Sequence, residues 1–148
     1  CATVAKVYRT AIDTYLKEGK DWYVRPEWIA ELEKISHRPY TDGFAEGRPD
    51  ETAQNYGKST NTQSHDFIGL VMGYNEEEKY VDLEQRNNFK VGDHIEFYGP
   101  GMRHHEEVLE QLWDENGEEI EAAPHAMMIC KMKVSEPVKP LDMIRKRR

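Results

Sequence analysis

Apolar and polar positions alternate most regularly in residues 66–100, DFIGLVMGYNEEEKYVDLEQRNNFKVGDHIEFYGP. Phe67, Ile68, Leu70, Val71 and Met72 form a short apolar run, and Asn75-Glu76-Glu77-Glu78 is a polar reversal. Val81 and Leu83 then alternate with Asp82 and Glu84, Val91-Gly92-Asp93 reads as a turn, and Ile95 and Phe97 alternate with His94, Glu96 and Tyr98. Period-two patterning between turn clusters predicts three half-buried antiparallel strands.

A different period governs the first residues. Val4, Val7, Tyr8, Ala11, Ile12, Tyr15 and Leu16 form one helical stripe, with Gly19 as its stop. Neither a methionine nor a capping residue precedes the stripe, so the expectation is a helix that began in, or docked on, a part of the protein lying upstream. A second helix is predicted from Pro26, with Trp28 or Ile29, Leu32 and Ile35 on its apolar face and Pro39 as its end. The polar residues from 50 to 65 read as a linker or extended strap.

Beyond residue 100 the signals weaken. Residues 102–106 suggest a poor edge strand. Residues 108–113 suggest a strand in preference to a short helix, Asn116-Gly117 a hairpin turn to a strand at Ile120 and Ala122, residues 127–132 a buried strand and residues 141–145 a closing one. The expected architecture is mainly β with N-terminal helices, a small antiparallel β-barrel or sandwich preceded by two helices and an extended connector.

Charge sharpens this picture. The 148-residue chain carries a formal charge of −8, unevenly placed. Residues 66–130 hold 4 Lys/Arg against 16 Asp/Glu, whereas residues 131–148 hold 7 against 2. The β region as a whole is therefore a poor polyanion binder, and only its C-terminal strip (Lys131, Lys133, Lys139, Arg145, Lys146, Arg147 and Arg148) is suited to phosphate. The bland alternative is a solvated tail on an acidic, soluble module. Two cysteines, Cys1 and Cys130, make neither a disulfide framework nor a four-ligand metal site. No apolar run approaches the roughly 20 residues of a membrane helix, and a reducing, cytoplasmic location is the simplest expectation.

Several separated motifs, ATVAKVYRTAIDTYL, SHRPYTDGF followed by Gly47-x-Pro49, DFIGLVMGY, EQRNNFKVGDHIEFYGPG and AAPHAM, resemble the C-terminal part of the collagenase-like peptidase family U-32. The resemblance runs almost the whole length of the chain. It implies that residues 1–19 are the last helix of a catalytic domain, residues 20–65 a helix and connector, and residues 66–148 an accessory β-barrel. It also implies a parent enzyme. Some bacterial members are similar to prephenate-dependent tRNA wobble-uridine hydroxylases, others to hydroxylases of ribosomal RNA cytidine or of quinones, with an iron–sulfur cluster held by cysteines of the catalytic domain. Neither Cys1 nor Cys130 matches those cysteines, so no cofactor is expected in this chain.

The residues offer little chemistry of their own. Ser36 and His37 are neighbours at a helix end and diverge, which disfavours a nucleophile–base pair. His37, Arg38 and Tyr40 either cap and pack the connector or, lying beside a catalytic domain, reach substrate. His104 and His105 would point to opposite strand faces and not share a metal ion. Tyr74, Tyr80, Phe97, Tyr98 and Trp113 are core or, if exposed together, base-stacking residues.

The expectation is therefore a chain with no catalytic or metal-ligating residues of its own. It would be an accessory region that assists RNA or substrate binding, or positions the catalytic domain, in a tRNA-hydroxylating enzyme. Its partners would be its own catalytic domain and possibly tRNA, not a membrane. The alternative is a protein-interaction or structural module of a peptidase, contacting a partner through the acidic face. The sequence sets no oligomeric state.

Overall fold

The computed structural model describes residues 1–41, 43–45, 47–48 and 61–148. The predicted strap at residues 50–65 therefore lies mostly outside the described residues. Helix α1 spans Ala2–Glu18 and stops at Gly19, whose φ of 61° suits a residue without a Cβ. Helix α2 spans Pro26–Glu33 with proline in its first turn, so it ends before the predicted Pro39. The two helices pack through Trp22, whose indole N–H donates to the Ala11 carbonyl at 3.1 Å and whose ring meets Tyr15 and Trp28.

Nine strands follow among the described residues: β1 (His65–Asn75), β2 (Tyr80–Gln85), β3 (Phe89–Lys90), β4 (His94–Tyr98), β5 (His104–Val108), β6 (Trp113–Asp114), β7 (Ala122–Ala123), β8 (Ile129–Lys133) and β9 (Met143–Arg147). Seven form one antiparallel sheet in the order β5-β4-β9-β1-β2-β8-β6, and β3 and β7 make a separate ribbon. The antiparallel β architecture behind two helices is as expected. Closure into a barrel is not seen: β5 and β6 end the sheet without pairing to each other.

One face of the sheet carries the core. Val81 opposes Met132, Leu83 opposes Cys130 and Phe97 opposes Ile144, all almost fully buried. Strand β1 holds two register shifts, so its apolar run does not alternate evenly; Ile68 and Val71 are buried, while Phe67 and Met72 are exposed. At Gly69 a Cβ would lie 3.0 Å from the Glu84 carbonyl oxygen, so β1 and β2 approach there only because the residue is glycine.

Three sequence expectations are corrected. Residues 109–112 are not a strand. Leu109 and Leu112 are fully buried, and their backbones bond to Asp93 and Ile120, so the segment packs into the core as an irregular plug. The Asn116-Gly117 turn forms, but its expected partner strand does not. Only a single bridge joins Trp113 to Glu119, and Ala122–Ala123 pairs with β3 instead. Met127 and Leu141 were assigned to strands, yet both are exposed turn residues with positive φ, and β8 and β9 begin two residues later.

Candidate functional site

Strand β4 is buried on both sides. Ile95 and Phe97 enter the core, while Glu96 and Tyr98 face the helices. Glu96 opposes Arg145 on β9, and that pair is the centre of a buried ionic joint. Arg145 donates Nε and Nη2 to the two Glu96 carboxylate oxygens, each at 2.8 Å, and Nη2 also to Glu31 Oε2 at 2.7 Å. Lys6 of α1 sits 2.7 Å from Glu31, and Lys34, just past α2, donates to Glu96 at 2.9 Å. The Tyr98 ring lies between two cations, with the Arg145 guanidinium 4.3 Å and the Lys6 ammonium 4.9 Å from its centre. Both helices are thus held to the sheet largely by charge.

The electrostatics follow from this geometry. Burial would raise the Glu96 carboxyl, but hydrogen bonds from Arg145 and Lys34 outweigh it and hold the group at about 2. Glu31 is likewise lowered against its burial, by Arg145 and Lys6. Burial would lower Arg145, yet its two carboxylates raise it. His65 is shifted down by burial and by the Arg145 charge, so it is neutral near pH 7 and its 3.8 Å approach to Glu96 is no ion pair.

The expected basic strip is dispersed. Arg145 is 2% exposed, with Nε and Nη2 committed to Glu96 and Glu31, so it cannot meet a phosphate at the surface. Lys146 pairs with Asp93 at 3.0 Å and Arg148 with Asp66 at 2.9 Å. Arg147 is exposed and lines a polar cavity of about 600 Å³ with Lys34, His65, His94, Glu106 and Glu107. Lys139 is exposed at the turn before β9, where its backbone N–H donates to Asp142. Lys131 and Lys133 stand elsewhere, on the outer face of β8, 5.9 and 5.5 Å from the Tyr80 ring.

His37 and Tyr40 form a latch at the end of α2. Their rings stack at 4.5 Å, the Tyr40 hydroxyl donates to the Leu32 carbonyl at 2.9 Å, and His37 bridges to Thr62. Arg38 is exposed beside them.

The structure also makes groupings that the sequence reading missed. Glu96, His104 and Glu106 bring one ligand atom each within 4.8 Å of one another. A divalent ion there would face the Arg145 and Lys34 charges already bound to Glu96, which argues against a cation site. On the opposite face, His105 Nε2 lies 3.1 Å from Ser135 Oγ, and both reach Glu107. The Ser135 N–H also donates to that carboxylate at 3.0 Å. A fixed negative charge beside the hydroxyl opposes an oxyanion, so this cluster fastens β5 to the 135 turn rather than activating a nucleophile. The fixed signal for both groupings is cross-strand register, which no local pattern carries. Cys130 is in the core, its thiol pushed up by burial to about 11, and Cys1 is exposed on its own. Two such cysteines do not fit a cluster that takes four thiolates.

The outward side of α1 and α2 is apolar. Val7, Ala11, Ile12, Tyr15, Trp28 and Leu32 line part of a groove of about 460 Å³. No helix among the described residues is long and apolar enough to cross a membrane.

Comparison with known proteins agrees with this two-part construction. Residues 1–55 match the model of peptidase family U32, and residues 63–145 match that of the peptidase family U32 C-terminal domain. The tRNA hydroxylation protein P1 of Bacillus subtilis (strain 168) is 39% identical over 145 residues, covering 98% of this chain and 34% of that protein. The tRNA hydroxylation protein P of Escherichia coli (strain K12) is 33% identical over 129 residues, covering 84% of this chain and 26% of that protein. This chain thus spans about a third or less of the length of these relatives. The crystal structure of the C-terminal domain of a Geobacillus thermoleovorans U32 peptidase superposes with a TM-score of 0.54 at 43% identity, covering 56% of this chain and 93% of that one. With both of the family's models matched in order, the helices under one and the β-sheet under the other, the chain belongs to peptidase family U32.

Proposed function

We propose that this chain is the non-catalytic C-terminal accessory region of a cytoplasmic U32 protein that hydroxylates tRNA, and that it positions the catalytic portion and assists its hold on RNA. The observation that carries this reading is the 39% identity to tRNA hydroxylation protein P1, which covers 98% of this chain. The geometry supports it. The buried carboxylates Glu31 and Glu96 bind the helices to the sheet rather than opening onto a reaction site. The outward apolar side of α1 and α2 is the seat for the remainder of a protein of the relatives' length, where any iron–sulfur cluster would be held.

The test uses the full-length protein in a strain deleted for it. Mass spectrometry of tRNA nucleosides is expected to show the hydroxylated wobble uridine lost on deletion and restored by the intact gene, but not by one truncated after residue 62. Unchanged tRNA, with collagen or casein cleaved by the purified protein, would overturn this reading in favour of an interaction module of a peptidase.

A further inference from the structure

Resting on the tRNA reading above, we infer that the outer face of β2, β8 and β6 is a contact site for single-stranded RNA. Tyr80 and Trp113 stack on bases there, and Lys79, Lys131 and Lys133 meet the adjoining phosphates. Cross-strand register builds the site. Tyr80 opposes Lys133, Asp82 opposes Lys131, and Trp113 opposes Lys131 from the other side. All of these side chains therefore leave the sheet on the face away from the Val81–Met132 and Leu83–Cys130 core pairs. The two rings meet edge to face, 5.4 Å apart at 73°, an arrangement that leaves ring surface uncovered; both residues are only half-buried. Trp113 lies on β6, at the end of the sheet, where a strand of nucleic acid can approach from the side.

Charge selects the occupant. Residues 66–130 are strongly acidic, with 16 Asp/Glu against 4 Lys/Arg. Against that background two lysines converge on one tyrosine, and a third precedes it. Lys131 and Lys133 lie over its ring, and the exposed Lys79 precedes it, its carbonyl accepting from the Val134 N–H at 3.0 Å. Glu119 stands exposed directly across the bridge from Trp113, and the other nearby acids are loosely placed or already engaged. Asp82 is 3.9 Å from Lys131 with both side chains about half exposed. Glu78 is turned to the Asn75 amide, and the Asp114 carboxylate is taken by the backbone N–H groups of Asn116 and Glu118. Lys133 has no acidic partner among the described residues. Aromatic rings flanked by exposed lysines fit unpaired nucleotides, because stacking accepts any base and the ammonium groups follow the backbone. A protein partner bearing acidic groups would satisfy the lysines but give no reason for two partly exposed rings side by side, one of them on the end strand.

The experiment measures tRNA binding by the full-length protein across a salt series, alongside uridine hydroxylation in cells. Tyr80→Ala and Trp113→Ala are each expected to weaken binding about fivefold or more, with Tyr80→Phe near wild type because the ring is kept. The double variant Lys131→Gln/Lys133→Gln, at two exposed positions that leave the core untouched, is expected to reduce the slope of log Kd against log salt by one to two. Unchanged affinity and slope for that double variant, in a protein that still hydroxylates tRNA, would overturn this site while leaving the proposed function standing. A wild-type protein that neither binds nor modifies tRNA would overturn the function and the site together.

Discussion

In the β region, Phe97, Ile68, Leu83, Met132 and Ile144 are at most 1% exposed, whereas on α1 Tyr8, Ile12, Tyr15 and Leu16 range from 52% to 74%. The sheet has turned its large apolar side chains into a core of its own. The helices bury Val7 and Trp28 but leave most of theirs exposed, and they also bury the polar Thr3, Lys6 and Glu31. The two regions therefore meet through a desolvated set of charges rather than a shared apolar core. Charge pairs of this kind contribute little net stability against an apolar alternative, but they are costly to break on one side and so fix orientation.

The strongest way to break this contrast is to remove the cation at the centre of the joint. Arg145→Ala leaves Glu96 and Glu31 buried without their common cation, and unfolding by urea is expected to show a loss of about 3–5 kcal/mol. Glu31→Ala should cost less, since Arg145 keeps its bidentate hold on Glu96. A loss below about 1 kcal/mol for Arg145→Ala would mean that water reaches the joint and that charge does not hold the helices in place.

Acid should reach the same joint with a smaller effect. The Glu96 carboxyl has a folded value of about 2 against an ordinary 4.5, so the unfolded chain takes up its proton first as the pH falls. The stabilisation is complete above about pH 4.5 and is lost progressively toward pH 2, amounting to roughly 3 kcal/mol for Glu96. Glu31 is shifted in the same direction and adds to the loss. Thermal melts between pH 7 and pH 2.5 check this, and Glu96→Gln should flatten the profile across that window. An equally steep profile in the variant would place the acid sensitivity outside the joint.

Much of the contrast was legible from local pattern, and its meaning was not. Period two located β2 and β4, a short apolar run located β8, and period 3.6 located α1 together with its Gly19 stop. Alternation says only that Glu96 leaves the core face; it cannot say that helices 60 to 90 positions earlier in the chain cover the other face. For the same reason Arg145 read as part of a solvated basic tail, although β9 is the third strand of the sheet and buries it. The α1 stripe was found correctly, but its direction depends on a partner that periodicity does not name. Leu109 and Leu112 were read as strand residues because an apolar run too short to show a period is ambiguous. The Tyr80, Trp113 and Lys131 grouping draws on three strands, two of them paired only through β8, and no local window contains it.

The smallest expected effect sharpens the contrast most, because it asks the helices alone. Ile12→Ser and Leu16→Ser change side chains that are 52% and 74% exposed. If their apolar face is unpartnered within this chain, melting of the isolated chain should shift by no more than about 0.5 kcal/mol, and solubility should rise. The same substitutions in the full-length protein should cost about 1–3 kcal/mol each, since the transfer free energy of a buried aliphatic side chain is then at stake. Equal effects in both contexts would mean that the remainder of the protein does not sit on this face. The apolar stripe would then be a surface for some other occupant, and the charged joint would be the helices' only fixed attachment.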